Sequence, residues 1–300
     1  GKDSAVTLGL LENAGTRWIP FAINPIRATK DVIAASGKGK EDIVSVNRKL
    51  DQQLLDLNKK GYLNGHTPFS AIVAFYGLLA SYLTGSADIV LSNESSANES
   101  TIPGTRINHQ YSKTYEFEKD FRQYVRDHIS PSFNYFSLLR PLTEMQIARL
   151  FAAHPEYFKV FRSCNAGSKA GEWCGKCPKC LFTWIILSPF ISQETLRDIF
   201  GKDLLQDSGL SGTLDELSGA SENKPFECIG TLDEVNLSLH WLLRNYPKNM
   251  PPALLNHYTT AIPSGDYSDG AFVRALETID SLHFIPGKYL KLINLPNNAG

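Results

Sequence analysis

Residues 163–180 read SCNAGSKAGEWCGKCPKC and hold four of the five cysteines in the chain: Cys174, Cys177 and Cys180 in a C-x-x-C-x-x-C run, with Cys164 upstream. Thiolates at these spacings can converge tetrahedrally on Zn²⁺, and Gly175, Lys176 and Lys179 supply tight turning and positive charge to offset four sulfurs. A Cys₄ zinc site is therefore expected at Cys164, Cys174, Cys177 and Cys180. With all four positions filled by thiolate it is a structural site that pins a loop. Buried reduced cysteines, an iron–sulfur cluster and a redox pair are the alternatives that the spacing leaves open. Cys228 stands apart and reads as a buried apolar residue. An odd, clustered set of cysteines is a poor disulfide framework, so a reducing, cytoplasmic setting is expected.

The chain is long enough, at 300 residues, to bury its core without such a staple. Hydrophobic content of 42%, charged content of 20% and a net charge of −1 describe a soluble globular protein. They give no global attraction to nucleic acid or anionic membrane, so neither is expected as a partner. The apolar runs around Phe69–Leu83 and Cys180–Ile191 are shorter than the roughly 20 residues that span a bilayer and read as buried helices. The opening Gly-Lys-Asp-Ser lacks the basic segment and apolar core of a secretory leader, so none is expected at this start.

From Ser4, Val6, Leu8, Leu10 and Leu11 mix helical and alternating periods, and Gly15 favours a short helix ending there. RWIPFAIN reads as a strand ending near Asn24. Around residues 45–60, Leu50, Leu54 and Leu57 share a helical face, with Gly61 as the stop. PFSAIVAFYGLLASYL is apolar nearly all round and predicts a buried helix, and ADIVLSN predicts a buried strand. A polar stretch from Ser92 to Ser112 follows, of a length that in a compact domain is functional or disordered. Phe117, Phe121, Val125 and Ile129 mark an amphipathic helix, FNYFSLL a strand, and Thr143 with Gln146 a capping box. Beyond Cys180 the pattern is helical, with a second capping box at Thr231 and Glu234 and a linker-like SGLSGTLDELSGASENKP. Alternating strands and helices predict an α/β, Rossmann-like parallel sheet over residues 1–190, including the cysteine loop, and a smaller helical part over 191–300. Ligands sit at the carboxyl ends of such strands, where Asn24, Ser92, Asn93, Glu94 and Arg140 fall.

Gly1-Lys2-Asp3-Ser4 alone reads as an exposed turn capping a helix, or as a phosphate cradle of backbone N–H groups with a hydroxyl from Ser4 and a charge from Lys2. It is not the end of a Walker loop, because Asp3 stands where Ser or Thr would follow the lysine. Joined to LLRPLTEMQIARLF and the cysteine cluster, GKDS resembles the S-G-G-x-D-S loop of the N-type (PP-loop) ATP pyrophosphatases. That superfamily includes a deazaguanine nitrile synthase with a Cys₄ zinc site at this place. LSNESSANES, NHQYSKTYEFEKDF, NGHTPFSA and WCGKCPKC are similar to loops of its peptidoglycan-precursor epimerases, which act on a UDP-muramoyl dipeptide.

The resemblance implies a HUP-type fold and an ATP- and Mg²⁺-dependent epimerase. Such an enzyme adenylates the terminal L-Glu carboxylate of UDP-MurNAc-L-Ala-L-Glu, with release of AMP and diphosphate, and returns D-Glu. It carries phosphate and Mg²⁺ duties onto Gly1, Lys2, Asp3 and Ser4, with Asn24, Ser92 and Asn93 beside them. The family's preceding strand and S-G-G residues do not stand ahead of Gly1, so this chain is expected to hold zinc and bind ATP weakly. Glu94, His109, Tyr111 and His66 are the candidates for proton transfer. Arg106, Lys113 and Arg140 are the candidates for substrate carboxylates or phosphates. Each has an ordinary alternative as a loop charge, a loop-ordering group or a surface cation. Two other functions would leave different marks: another adenylating synthetase needs a purine-like pocket or a basic RNA surface, and a zinc-stabilised binding module consumes no ATP.

Overall fold

A computed structural model describes residues 1–63, 68–99, 108, 110–164, 166–168, 170–221, 225, 227, 229–247 and 251–293. In chain order its elements are α1 (Lys2–Asn13), β1 (Phe21–Ile23), α2 (Arg27–Ala35), β2 (Val44–Val46), α3 (Gln52–Lys59), α4 (Phe69–Thr84), β3 (Asp88–Leu91), α5 (Tyr115–His128) and β4 (Asn134–Ser137). Helices α6 (Glu144–Ala152), α7 (Pro178–Leu187), α8 (Gln193–Phe200), α9 (Ser211–Ser218), α10 (Leu232–Asn245), α11 (Ala253–Tyr258), α12 (Asp269–Glu277) and α13 (Gly287–Leu290) complete it.

The fold is mixed α/β with parallel strands, as the alternating pattern implies. Among the described residues the strands form two separate parallel pairs, β1 with β2 and β3 with β4, instead of one continuous sheet. In the first, Phe21 lies opposite Val44 and Ile23 opposite Val46; in the second, Asp88 lies opposite Asn134 and Leu91 opposite Ser137. The crossover from β3 to β4 carries α5, whose Thr114 accepts a hydrogen bond from the Phe117 N–H at its N-terminus.

Three local readings change. Residues 45–60 are not one helix: Val44-Ser45-Val46 is a strand, and α3 begins only after Asp51 accepts the Gln53 N–H. The alternating β-branched residues favour the strand, and Gly61, at φ +80°, still supplies the stop. Helix α4 ends at Gly85 in the left-handed region, and it is buried on one side only, not all round. Its small residues Ala74, Gly77, Ala80 and Ser81 face inward, and a Cβ on Gly77 would stand 3.3 Å from Ile89 of β3. Phe69, Phe75, Leu79, Tyr82 and Leu83 stay exposed. The linker-like segment instead folds into a 3-10 turn (Ser208–Leu210) and α9, whose Leu214 and Leu217 are buried with Leu210.

The main hydrophobic cluster runs from Ala5 to Ile293 and takes in α1, β4, α6, α7 and the helices beyond residue 190. Helix α7 is buried from Cys180 to Leu187, as its apolar run predicts. A smaller cluster of Ala74, Leu78, Phe121, Val125 and Tyr135 joins α4 and α5 to β4. Both expected capping boxes form. The Gln146 amide also donates to the carbonyls of Leu276 and Thr278, and Lys288 and Tyr289 donate to Asp88, so the C-terminal segment closes back onto α6 and β3. Among the described residues no helix is long and apolar enough to cross a membrane.

Candidate active site

A cavity of about 1100 Å³ is lined both by Phe21 and Val44 of the first strand pair and by Asp88–Leu91 of the second. The start of α1 opens onto it through Gly1, Lys2, Asp3 and Ser4, and the end of β3 through Ser92, Asn93 and Glu94. Thr7 of α1 and Ser92 share a hydrogen bond of 2.8 Å that fixes these two elements together. Lys113, Glu144 and Lys179 join a charged lining of four lysines, two arginines and four carboxylates, with Asp88 and Lys288 at its far end.

Lys2 is almost wholly buried, at 3% exposure, and its ammonium donates to the carboxylates of both Asp3 and Glu144. Burial pulls the ammonium down, but the two carboxylates more than offset it and hold Lys2 well above the usual lysine range. Burial pushes the Glu144 carboxyl up to about 8; Lys2 opposes the rise, while Asp3, Glu94 and Glu234 add to it. Glu94 is likewise raised, first by burial and then by the charge of Asp3. Burial would raise Asp3 too, yet the charge and hydrogen bond of Lys2, with Lys179, hold it below the usual carboxylate range. The result is an acidic nest in which Asp3 is held ionised while Glu94 and Glu144 are pushed toward their protonated forms.

Of the residues singled out in the sequence, Gly1, Lys2, Asp3, Ser4, Ser92, Asn93, Glu94 and Lys113 share this cavity. Asn24 does not line it: at φ +46° its side-chain amide donates to the Arg48 carbonyl and accepts the Arg48 N–H, tying the end of β1 to the chain after β2. Tyr111 also lies off it, donating to Asp120 from an exposed position. Arg140 is completely buried and faces protein groups: Nε and Nη2 donate to Glu118, Nη1 to the Glu94 carbonyl and Nη2 to the Lys113 carbonyl. His66, Arg106 and His109 lie outside the described residues. The sequence reading missed Glu144, although its place in the first turn of the capped helix after β4 was a usable signal.

The four cysteines converge. Cys174 and Cys180 sulfurs lie 3.6 Å apart, Cys177 and Cys164 3.7 Å, and Cys177 and Cys180 3.5 Å, with all four within 4.8 Å of one another. Tetrahedral Zn²⁺ with bonds of about 2.3 Å sets its sulfurs about 3.8 Å apart, close to this spacing. The separations are far beyond a disulfide bond of about 2.05 Å, and all four thiols are free. The hydrogen bond with Cys180 brings Cys177 down to about 7, while that same bond and burial push Cys180 up. Four sulfurs so placed can hold a metal ion. The Gly167 N–H donates to Cys164 as in a metal-binding turn. The centre adjoins the cavity: Ser163 and Lys179, each beside a cysteine, line it, and a Cβ on Gly1 would stand 2.9 Å from the Ser163 hydroxyl.

These features define a mixed α/β protein in which a cluster of four cysteines, able to hold a metal ion, adjoins a charged cavity. The chain belongs to the MurL family: residues 1–138 match the MurL N-terminal domain and residues 160–270 the MurL C-terminal domain. It is 40% identical to a UDP-N-acetyl-alpha-D-muramoyl-L-alanyl-L-glutamate epimerase of Salinispora tropica over 81% of this chain and 54% of that protein. A protein of that description from Micromonospora sp. is 36% identical over 98% of this chain and 66% of its own length. One from Xanthomonas oryzae pv. oryzae is 39% identical over 77% and 52%. The chain thus spans between about half and two thirds of the length of these relatives. No solved structure matches it.

Proposed function

We propose that the protein carrying this chain converts the terminal L-Glu of UDP-MurNAc-L-Ala-L-Glu to D-Glu in the cytoplasm, with ATP activating the glutamate carboxylate. The observation that carries this reading is the convergence of Gly1–Ser4 and Ser92–Glu94, from two different elements, on one cavity that Lys113 and Lys179 also line. The descriptions of the relatives supply the substrate.

The chemical obstacle is a Cα–H next to a carboxylate anion, where a second negative charge is very unfavourable. Attack of that carboxylate oxygen on the α-phosphorus of ATP expels diphosphate and leaves an acyl-adenylate, whose carbonyl no longer carries the carboxylate charge and whose Cα proton is far more acidic. Removal of the proton, its return to the opposite face and hydrolysis by water then give D-Glu and AMP. Backbone N–H groups at the start of α1 and the Ser4 hydroxyl hold phosphate oxygens, with Lys113 and Lys179 offsetting their charge. Asp3 would hold Mg²⁺, which would offset charge on the diphosphate leaving group. Glu94, half-buried with a raised pKa, is suited to take the Cα proton near neutral pH. His66 and His109 are the candidates to return it. Zn²⁺ held by Cys164, Cys174, Cys177 and Cys180 has no open position and is structural.

Incubating the whole protein with ATP, Mg²⁺ and the UDP-muramoyl dipeptide should yield AMP, diphosphate and D-Glu. AMP without D-Glu would leave an adenylating enzyme of another kind. No AMP with any carboxylate would overturn the reading.

A further inference from the structure

The most heavily engaged polar group outside the acidic nest is the Arg140–Glu118 pair. Both side chains are buried, Arg140 at 0% and Glu118 at 1% exposure, and they lie 3.1 Å apart. A buried ion pair of this kind contributes little net stability against apolar residues of the same volume, because desolvation consumes most of the attraction. Its value lies in geometry. The guanidinium reaches two backbone carbonyls far apart in sequence: Nη1 donates to Glu94 at 2.9 Å and Nη2 to Lys113 at 2.6 Å. Glu118 holds the fork in place and accepts the Ser137 N–H at the end of β4. The Ser137 hydroxyl in turn accepts from Asn93 at 3.2 Å and from Arg140 at 3.5 Å.

We propose that Arg140, held by Glu118, is a positioning residue that clamps both ends of the polar 95–112 segment and so sets Glu94 and Lys113 against the cavity they share. A planar fork suits such a clamp, since two carbonyls and a carboxylate are met from one rigid group, which a lysine ammonium cannot reproduce. The side chain touches no cavity space itself, so its effect on chemistry passes through Glu94 and Lys113. This assignment rests on reading the cavity as the active site.

Three measurements on the whole protein test it. In the wild type, amides of residues 94–98 and 110–114 should exchange with matching protection, because one clamp holds both ends; protection differing by more than about tenfold would overturn the proposal. In Arg140→Lys, exchange should quicken in both stretches by about tenfold or more while amides of α7 and α10 keep their protection. A uniform increase over the whole chain would mean a general structural role and would also overturn it. In the epimerase assay, Arg140→Lys should lower kcat by about tenfold or more and raise the KM for ATP, because Glu94 and Lys113 lose their shared anchor, and Glu118→Gln, which keeps the shape and loses the charge, should fall between it and the wild type. Unaltered kcat in an active, folded Arg140→Lys protein would refute the clamp. A wild-type protein without epimerase activity would overturn the functional reading and leave the exchange results to decide the clamp.

Discussion

A glutamate buried beside Lys2, Asp3, Glu94 and Glu234 cannot hold its charge as it would in water, and Glu144 titrates at about 8 against an ordinary 4.5. The folded state therefore binds this proton more tightly than the unfolded one. Its contribution to stability is full below the unfolded pKa, declines as pH rises from there, and is gone once pH passes the folded value. Urea midpoints of the wild type should fall between about pH 5 and pH 8, and Glu144→Gln, which stays neutral, should flatten that slope. A slope unchanged by the substitution would place the titration elsewhere. Gly9 marks another constraint at this scale, since a Cβ there would stand 2.4 Å from the buried ring of His154. Gly9→Ala gains up to about 1 kcal/mol of helix propensity but overpacks by about 1–3 kcal/mol, so denaturation should show a net loss. Lys2 and Asp3 were legible only through the resemblance, because Gly1–Ser4 alone reads equally as an exposed turn, and Glu94 was legible from its place at a strand end. Arg140 was equally conspicuous, yet its partners are contributed by residues 94, 113 and 118, and nothing local in the sequence tells a ligand-binding arginine from one turned inward.

Elements bounded by capping residues were the easiest to read. Thr143 with Gln146 and Thr231 with Glu234 fix helix starts through short-range hydrogen bonds that depend on spacing alone. Glu234 does more than its spacing reveals: one oxygen accepts the Thr231 N–H and the other the Met145 N–H, so a single carboxylate caps α10 and the first turn of α6, which carries Glu144. Glu234→Ala should lower stability by about 1–3 kcal/mol in urea denaturation, more than the loss of a single cap of about 1 kcal/mol. The misread elements failed where composition masked pattern. Glycine and serine made residues 208–225 look like a linker, although Leu210, Leu214 and Leu217 recur at helical spacing and are buried. In α4 the apolar residues surround the axis, so only the packing of Ala74 and Gly77 decides which face turns inward.

At the scale of the whole molecule, the α/β class and the meeting of four thiols followed from order and spacing, while the separation of the strands into two pairs depended on long-range placement that no local pattern encodes. The cysteine centre connects these levels. Cys164 precedes the loop, Cys177 caps α7 and Cys180 sits in its first turn, so one ion would fasten the loop to the most buried helix of the core. Ser163 and Lys179, carried by the same centre, stand in the wall of the cavity against the start of α1. Metal analysis should find about one equivalent of zinc and no iron–sulfur cluster, because sulfurs within 4.8 Å of one another leave no room for a multi-iron core between them. Stripping the ion should leave four crowded thiols with no shared cation and release the loop. With roughly 2–4 °C of melting temperature per kcal/mol in a chain of this size, loss of several kcal/mol should lower the melting point by on the order of 10 °C. Cys177→Ser should reproduce that shift and make chelator treatment nearly without further effect. If the metal only staples the loop, restoring zinc to the stripped wild type should recover the melting point and nucleotide binding together. Recovery of the first without the second would mean that the cavity wall does not depend on the centre.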